Sequence, residues 1–147
     1  MPSDFVLKSM NNIHRTILKV SGGRKGWNAG NMPVLKLTTV GRKSGEKREV
    51  MLTSPLQFDS TMVIVASRGG DDQHPAWFLN LRDEPLVEVA TQDEEKHQRR
   101  ARIATSDERN TMWPQIVEKY KNYGGYQSRT QREIPLILLE KIGKVFS

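Results

Sequence analysis

Short segments with the character of β-strands, separated by tight turns, recur through most of the chain and limit the folds that it can adopt. Residues 61–66 (TMVIVA) form an almost unbroken apolar run, as in a strand that is buried on both faces. Residues 86–91 alternate apolar and polar side chains, as in a half-exposed strand. Residues 134–140 (IPLILLE) are apolar enough for a central strand. Because short turns join most of these strands, the sequence predicts a mainly β fold: an antiparallel barrel or strongly bent sheet with helices on its outside.

A basic hairpin lies at residues 32–48, and its second strand continues to residue 54. The turn is bracketed by Gly41 and Gly45, which can adopt positive φ at no steric cost. Between the glycines lie Arg42, Lys43 and Ser44. Open backbone N–H groups and fixed positive charge together suit an anion with several oxygens, such as a phosphate or a carboxylate tail. The alternative is a solvated basic turn that binds nothing.

Two helices are predicted before the last third of the chain. Residues 3–20 have the apolar spacing of an amphipathic helix, with Ser3 as a plausible N-cap. Such a helix packs on the domain's own core, or else covers a pocket or touches a membrane surface. A Gly-rich loop follows at residues 21–31. Pro75 fits the first position of a short helix over residues 76–81.

The next segments are a basic strand and a helical region. Residues 96–104 carry four cations, a pattern typical of a solvated strand that protects a sheet edge. Glu108 follows Thr105 by three residues, which is a capping-box pattern. Pro114 is expected to interrupt the helix, giving a helical turn that ends at residue 112 and a second helix over residues 113–121.

All three tyrosines of the chain lie within seven residues of one another, in a Gly-rich segment predicted to be a loop. They are Tyr120, Tyr123 and Tyr126. A phenol offers an apolar face and a hydrogen-bonding tip, which suits a flat, partly polar ligand. The alternative is three unrelated surface tyrosines.

Composition narrows the classes of protein. The 147 residues suit one domain, and the absence of cysteine excludes disulfides and thiolate metal sites. The net charge of +6 favours anionic partners, but the basic and aromatic residues do not alternate as they do in RNA-binding proteins, and we expect no nucleic acid partner. The three histidines lie far apart, so no metal site is expected. With no apolar run long enough to span a bilayer and no signal peptide, we expect a soluble cytoplasmic protein.

Several catalytic signatures are absent from the sequence. It has no G-x-S-x-G elbow, no P-loop and no G-x-G-x-x-G after a strand. Catalysis is still possible if a bound organic cofactor carries the reaction and the protein binds and orients it.

Four segments resemble one known family in order and spacing. They are PVLKLTTVGRKSGEKR (33–48), VIVASRGG (63–70), HPAWFLNLRDEP (74–85) and YKNYGGYQSRTQREIP (120–135). Together they are similar to the deazaflavin-dependent nitroreductase family, F420-dependent flavin/deazaflavin oxidoreductases of actinobacteria. The resemblance implies a split β-barrel of the FMN-binding type and the coenzyme F420, a deazaflavin with a phosphate and an oligoglutamate tail.

The resemblance also implies a cofactor site. Residues of the basic turn match the family's binders of the phosphate and tail, two strand segments match those along the deazaflavin ring and its ribityl chain, and a short helix matches the one whose N-terminal N–H groups face the cofactor. These residues are, in order, Arg42, Lys43, Ser44 and Arg48; Glu49, Val50, Met51, Val65, Ala66, Ser67 and Arg68; and Ala76, Trp77, Phe78, Leu79 and Asn80.

The implied reaction is hydride transfer from reduced F420 to an electron-poor small molecule: an activated C=C of an enone or unsaturated lactone, a quinone or a nitroaromatic. The resemblance places Tyr120, Tyr123 and Tyr126 over the substrate. Ser67 and Tyr126 are our candidates for the catalytic donors that meet charge developing on the acceptor.

Three alternatives remain open at this stage. They are an FMN-dependent reductase of the same fold, a non-catalytic F420 carrier, and a nucleic-acid-binding protein that rests on net charge alone. The chain is expected to be a monomer or dimer, with weak membrane-surface association through the N-terminal helix as a further hypothesis.

Overall fold

The computed structural model describes residues 28–29 and 32–142, with side chains from residue 32 onward. The predicted helix over residues 3–20 and most of the loop over residues 21–31 lie outside these residues. The described strands are β1 (Asn28–Ala29), β2 (Met32–Val40), β3 (Lys47–Thr53), β4 (Leu56–Phe58), β5 (Thr61–Val65), β6 (Leu86–Ala90), β7 (His97–Ile103) and β8 (Leu136–Lys141). The described helices are α1 (Ala76–Asp83), α2 (Ser106–Lys119) and α3 (Asn122–Ser128), with a 3₁₀ helix at Arg68–Gly70. None of these described helices is long and apolar enough to cross a membrane.

Seven strands form one antiparallel sheet in the order β3–β2–β6–β7–β8–β5–β4, and β1 pairs with the start of β2. The sheet curls into a half-barrel, which confirms the predicted mainly β, split-barrel fold with flanking helices. The hairpin between β4 and β5 turns at Asp59 and Ser60, and both residues have positive φ. β4 itself was not predicted, because its three residues are too few to show a period.

The inner face of the curled sheet is apolar and holds the larger of the two described cores. Leu35 and Leu37 of β2 lie there with side chains from β5, β6, β7 and β8. Helix α1 packs against β2 and adds Phe78 and Leu81 to the same cluster. The position of α1, which bears several predicted site residues, is therefore fixed by apolar burial.

Strands β5 and β8 are buried on both faces. Val63, Leu136 and Leu138 point away from the inner core and pack with Met112 and Ile116 of α2. This confirms the doubly buried strand predicted at residues 61–66 and the central strand predicted near residues 134–140. Helices α2 and α3 cover this outer face.

The prediction of a solvated edge strand at residues 96–104 was wrong. β7 lies inside the sheet, between β6 and β8. Arg99 on this strand is 1% exposed, and its Nη1 donates to the carbonyl oxygens of Ser60 (2.7 Å) and Leu139 (2.9 Å). Its Nε donates to His97 (2.9 Å), and its Nη2 lies 3.4 Å from Glu94 Oε1. Burial of this cation is possible because acceptors surround the guanidinium.

The capping box of α2 is confirmed. Thr105 Oγ1 accepts from the Glu108 N–H (3.2 Å), and Glu108 Oε1 accepts from the Thr105 N–H (2.9 Å). Arg102 of β7 donates to both carboxylate oxygens of Glu108 (2.7 and 2.9 Å). The hydrogen bonds from Arg102 hold the pKa of Glu108 at about 2, and the Thr105 N–H adds a smaller effect in the same direction. The start of α2 is therefore tied to the sheet.

Two predictions about helices in the last third were wrong. Pro114 does not interrupt the helical region, because α2 runs without a break through it from Ser106 to Lys119. Pro114 and Asn110 are both exposed, so the Asn110 carbonyl that loses its helical donor can be hydrated. The segment with Tyr123 and Tyr126 is not a loop but the short helix α3. Packing of Tyr123 against the outer core outweighs the low helix propensity of Gly124 and Gly125.

Candidate active site

The basic turn between β2 and β3 is held by its own backbone. The Gly41 N–H donates to the Glu46 carbonyl (2.7 Å), and the Gly45 N–H donates to the Gly41 carbonyl (2.8 Å). Gly45 has φ of +73°, as the sequence suggested, whereas a Cβ on Gly41 would lie only 2.7 Å from Ser44 Oγ. A Cβ on Gly41 would displace the Ser44 hydroxyl, whereas glycine is favoured at position 45 by its left-handed backbone.

A second element anchors this turn. Asn80 of α1 is buried, and its Oδ1 accepts from the Arg42 N–H (3.2 Å) and from Arg42 Nη1 (3.1 Å). Its Nδ2 donates to Thr39 Oγ1 (3.2 Å). The structure thus brings together two predicted site residues that are 38 positions apart. Asn80 fixes the direction in which Arg42 leaves the turn.

Positive charge at the turn is incompletely neutralised. Within residues 32–142, Arg42 and Lys43 form no ion pair with a carboxylate, and both side chains are exposed. Arg48 Nη2 lies 3.7 Å from Glu46 Oε2 and donates to Ser44 Oγ (3.4 Å). Two cations are therefore available to an anionic ligand.

The second group of predicted residues follows β5. Ser67 is 9% exposed, and its hydroxyl makes no hydrogen bond to any described residue. Arg68, Gly69 and Gly70 have φ of +47°, +65° and +85°, a run of left-handed backbone that costs free energy at the non-glycine residue. Arg68 Nη1 pairs with Asp71 Oδ2 at 2.9 Å. A Cβ on Gly70 would meet the Tyr126 carbonyl at 2.6 Å, so this segment lies directly against α3.

The three tyrosines form one edge-to-face stack. The Tyr120 and Tyr123 ring centroids are 6.5 Å apart, and those of Tyr123 and Tyr126 are 5.8 Å apart. Tyr123 is 6% exposed, and its hydroxyl contacts Thr53 Oγ1 (3.4 Å) and Met32 Sδ (3.6 Å). Burial, above all, raises the pKa of Tyr123 and keeps this phenol protonated. Tyr126 is half-buried and accessible, with the Arg129 guanidinium 5.8 Å from its ring centroid.

Other predicted site residues serve the core as well. Phe78 is 3% exposed and Ala66 is fully buried, so their side chains face the protein. Val50, Trp77 and Leu79 are half-buried against the inner core, and Val65 packs against the outer core with the tyrosines. On β3, Glu49 Oε2 lies 3.9 Å from Lys96 Nζ. Met51 of the same strand is 3% exposed.

The start of α1 is the remaining predicted element. Pro75 is its N-cap and not its first helical residue, and the helix extends to Asp83. The N–H groups of Phe78 and Leu79 donate to the Pro75 carbonyl, which leaves those of Ala76 and Trp77 as the N–H groups for a ligand at this end.

Arg132 is a site-forming residue that the sequence analysis missed. It comes from the segment before β8, and its guanidinium donates to the carbonyl oxygens of Ala66 (3.2 Å), Ser67 (2.8 Å) and Asp71 (2.8 Å). It also contacts His74 Nδ1 at 3.2 Å. Its only signal in the sequence is a positive charge within the segment 120–135. Its hydrogen-bond partners lie about sixty residues earlier in the chain, so no local pattern indicates them.

The turn and the contacts of Arg132 are joined through α1. Asn80 lies near the end of this helix and holds the turn, whereas His74, just before its start, contacts Arg132. A separate cavity of about 320 Å³ opens at the other end of the barrel, beside Arg99, Ser60 and Lys141. None of the predicted site residues lines it.

Comparison with known proteins decides the family. A family model described as F420H(2)-dependent quinone reductase matches residues 10–141, almost the whole chain. The chain belongs to this family. An F420H(2)-dependent quinone reductase of Mycobacterium tuberculosis is 33% identical over 132 residues, which cover 88% of each chain.

Solved structures agree. One described as an F420-H2 dependent reductase is 38% identical, with a TM-score of 0.65, over 74% of this chain and 94% of the other. Another, described as a domain-swapped dimer, is 34% identical, with a TM-score of 0.68, over 95% of this chain and all of the other. The resemblance to deazaflavin-dependent reductases is thereby confirmed. This family member is an oxidoreductase, and reduced F420 is its hydride donor.

The pH dependence of stability provides a test of the contact between His74 and Arg132 in this quinone reductase family member. Burial first, and then the charges of Arg132 and Arg82, lower the pKa of His74. An unfolded chain therefore takes up a proton at a higher pH than the folded chain, and the free energy of unfolding should fall as pH drops below about 6.5. We expect the urea midpoint to fall between pH 7.5 and 5.5 in the native chain and to fall less in His74→Gln. Equal slopes would contradict this assignment.

Proposed function

We propose that this protein reduces quinones with F420, using the basic turn to hold the cofactor's anionic part and the tyrosine group to receive the acceptor. The observation that supports this most is the pair of cations, Arg42 and Lys43, without carboxylate partners in the described chain, of which Arg42 is held by Asn80. Family membership supports the cofactor, and the names of the curated relatives support a quinone as acceptor.

The residues present fit the charged part of F420. Arg42 and Lys43 offer charge to a phosphate or to carboxylates, and an arginine fork suits both groups. The N–H groups of Ala76 and Trp77 lie at the positive end of α1 and favour an anion there. When bound, reduced F420 supplies a hydride, and it is the only source of electrons that the proposal needs.

On the acceptor side, the chain supplies hydrogen-bond donors. A quinone becomes a hydroquinone when it gains a hydride and one proton, and negative charge develops on its carbonyl oxygen as the hydride arrives. Ser67 and Tyr126 each carry a hydroxyl that no described residue occupies, so either can donate to that oxygen. The proton comes from one of these hydroxyls or from water.

The three tyrosines have different parts in this proposal. Tyr123 is buried, and its hydroxyl is engaged by Thr53, so it supports the ring of Tyr126. Tyr120 is half-buried at the other end of the stack. An aromatic surface of this kind suits the flat ring of a quinone.

The test is a parallel fluorescence titration of the purified chain with F420 and with FMN, followed by steady-state oxidation of reduced F420 with a simple naphthoquinone. We expect saturable F420 binding much tighter than FMN binding, and quinone turnover. Tyr126→Phe and Ser67→Ala should each lower kcat at least tenfold and change the F420 Kd much less, because the basic turn still holds the cofactor's charged part in both variants. Tight binding without turnover would indicate a carrier, and preferential FMN binding would indicate a flavin enzyme.

A further inference from the structure

We propose that Arg132 is a positioning residue for the reaction: its guanidinium holds the loop that carries Ser67 in register with Tyr126. We call residues 66–71 the acceptor loop. The inference rests on the proposed function, because it takes its meaning from the roles given to Ser67 and Tyr126. It adds a residue that does not itself contact the acceptor.

The contacts are numerous and directional. Four of the five N–H donors of the Arg132 guanidinium have partners: Nε donates to Asp71 O, Nη2 to Ser67 O, and Nη1 to Ala66 O and to His74 Nδ1. The acceptors span both ends of the acceptor loop. A planar fork that binds three carbonyls fixes the loop's position and its orientation.

The acceptor loop requires such an anchor. Arg68 has φ of +47°, and the two glycines that follow also have left-handed backbone. A non-glycine residue in this region is strained, and it persists only where surrounding contacts determine the conformation. Hydrogen bonds within the loop are few: Gly70 N–H donates to Ser67 O (2.9 Å), Asp71 N–H donates to Arg68 O (3.2 Å), and the Arg68 side chain pairs with that of Asp71 (2.9 Å). Arg132 donates three of the long-range hydrogen bonds to this loop. The Ala66 N–H also donates to the Pro135 carbonyl (3.0 Å), and Arg129 donates to the Gly69 carbonyl (3.3 Å).

The same helix that bears Tyr126 also fixes Arg132. Gln127 of α3 donates from Nε2 to the Arg132 carbonyl (2.7 Å), and its Oε1 accepts from the Ile134 N–H (2.9 Å). Arg109 of α2 donates to that Oε1 as well (3.0 Å). One amide side chain therefore links α3, the segment bearing Arg132 and, through Arg132, the acceptor loop. A displacement of about 1 Å at such a site can cost 10²-fold in rate.

The experiment compares Arg132→Lys and Arg132→Met with Arg100→Met. Arg100 is an exposed arginine of β7 with no role in the site, so it controls for loss of charge. Quinone kcat, quinone KM and F420 Kd are measured, together with amide hydrogen exchange of the acceptor loop. We expect kcat to fall by about ten- to a hundredfold in both Arg132 variants, because lysine lacks the fork. The F420 Kd should stay within about threefold, because Asn80 anchors the basic turn. Exchange at Gly70 and Asp71 should accelerate at least tenfold.

Two results would overturn the proposal. One is unchanged kcat and unchanged exchange in a folded Arg132→Lys variant. The other is an equal loss of kcat and F420 affinity with faster exchange throughout the chain, which would make Arg132 a general stability residue. If the native chain reduces no quinone, the proposed function fails separately. In that case, faster exchange confined to the acceptor loop supports the anchor, and unchanged exchange overturns it.

Discussion

Replacement of both Arg42 and Lys43 by glutamate is expected to weaken F420 binding by at least two to three orders of magnitude. Each substitution removes a charge-assisted hydrogen bond of about 1.5–3 kcal/mol and places a carboxylate where an anion should bind. Fold stability should change little, because both side chains are exposed and neither forms an ion pair within residues 32–142. The measurement is the fluorescence titration with F420, with the urea midpoint recorded for each variant.

A charge-matched control separates a local cradle from general attraction. Arg100 and Lys121 are also exposed, and no salt bridge involves either of them in the described part of the chain. Arg100→Glu/Lys121→Glu changes the net charge by the same amount and should leave the F420 Kd within about threefold. Comparable weakening in both double variants would mean that the cofactor responds to net charge. Full affinity in Arg42→Glu/Lys43→Glu would contradict the assignment of the turn.

Arg99→Met is expected to lower the free energy of unfolding by about 3 kcal/mol. Methionine retains much of the volume but leaves the buried Leu139 carbonyl and the partly buried Ser60 carbonyl without this donor, and an unsatisfied buried acceptor costs roughly 1–3 kcal/mol. Those carbonyls belong to the β4–β5 hairpin and to β8, so the loss of stability falls on the end of the sheet beside the cavity. Urea denaturation at neutral pH measures it.

Arg100→Met, the neighbouring substitution on the exposed face, should cost less than about 0.5 kcal/mol. A loss below about 1 kcal/mol in Arg99→Met would show that water from the adjoining cavity replaces the guanidinium. Quinone turnover per folded molecule should be unaffected, because Arg99 lies at the other end of the barrel from the basic turn.

Local signals in the sequence were sufficient for most of the fold. Alternation, apolar runs and turn residues located the long strands, and the capping box located the start of α2. The errors arose where distant parts of the chain override a local preference. Arg99 is buried because carbonyls from the β4–β5 turn and from β8 reach it, and the Gly-containing α3 is helical because Tyr123 packs into a core.

The candidate site was predictable only in part, for the same reason. The composition of the basic turn is local, so its cations were evident from the sequence. The residues that orient the site act across 38 positions, for Asn80 on Arg42, and 65 positions, for Arg132 on Ser67. No spacing rule within one segment predicts such pairs. Burial is equally non-local, which is why Tyr123 could not be distinguished in advance from the accessible Tyr126.

The use of two separate anchors, Asn80 for the turn and Arg132 for the acceptor loop, has an evolutionary consequence. On the proposed assignment, substitutions in α3 and the segment before β8 would reshape the surface that meets the electron acceptor, while the turn that would hold the cofactor's charged end stays anchored by Asn80 of α1. On that assignment, related enzymes could diverge in the compounds that they reduce and keep one hydride donor. A designer who wants a new acceptor for this scaffold should vary the residues around Tyr126 and leave the contact between Arg42 and Asn80 intact.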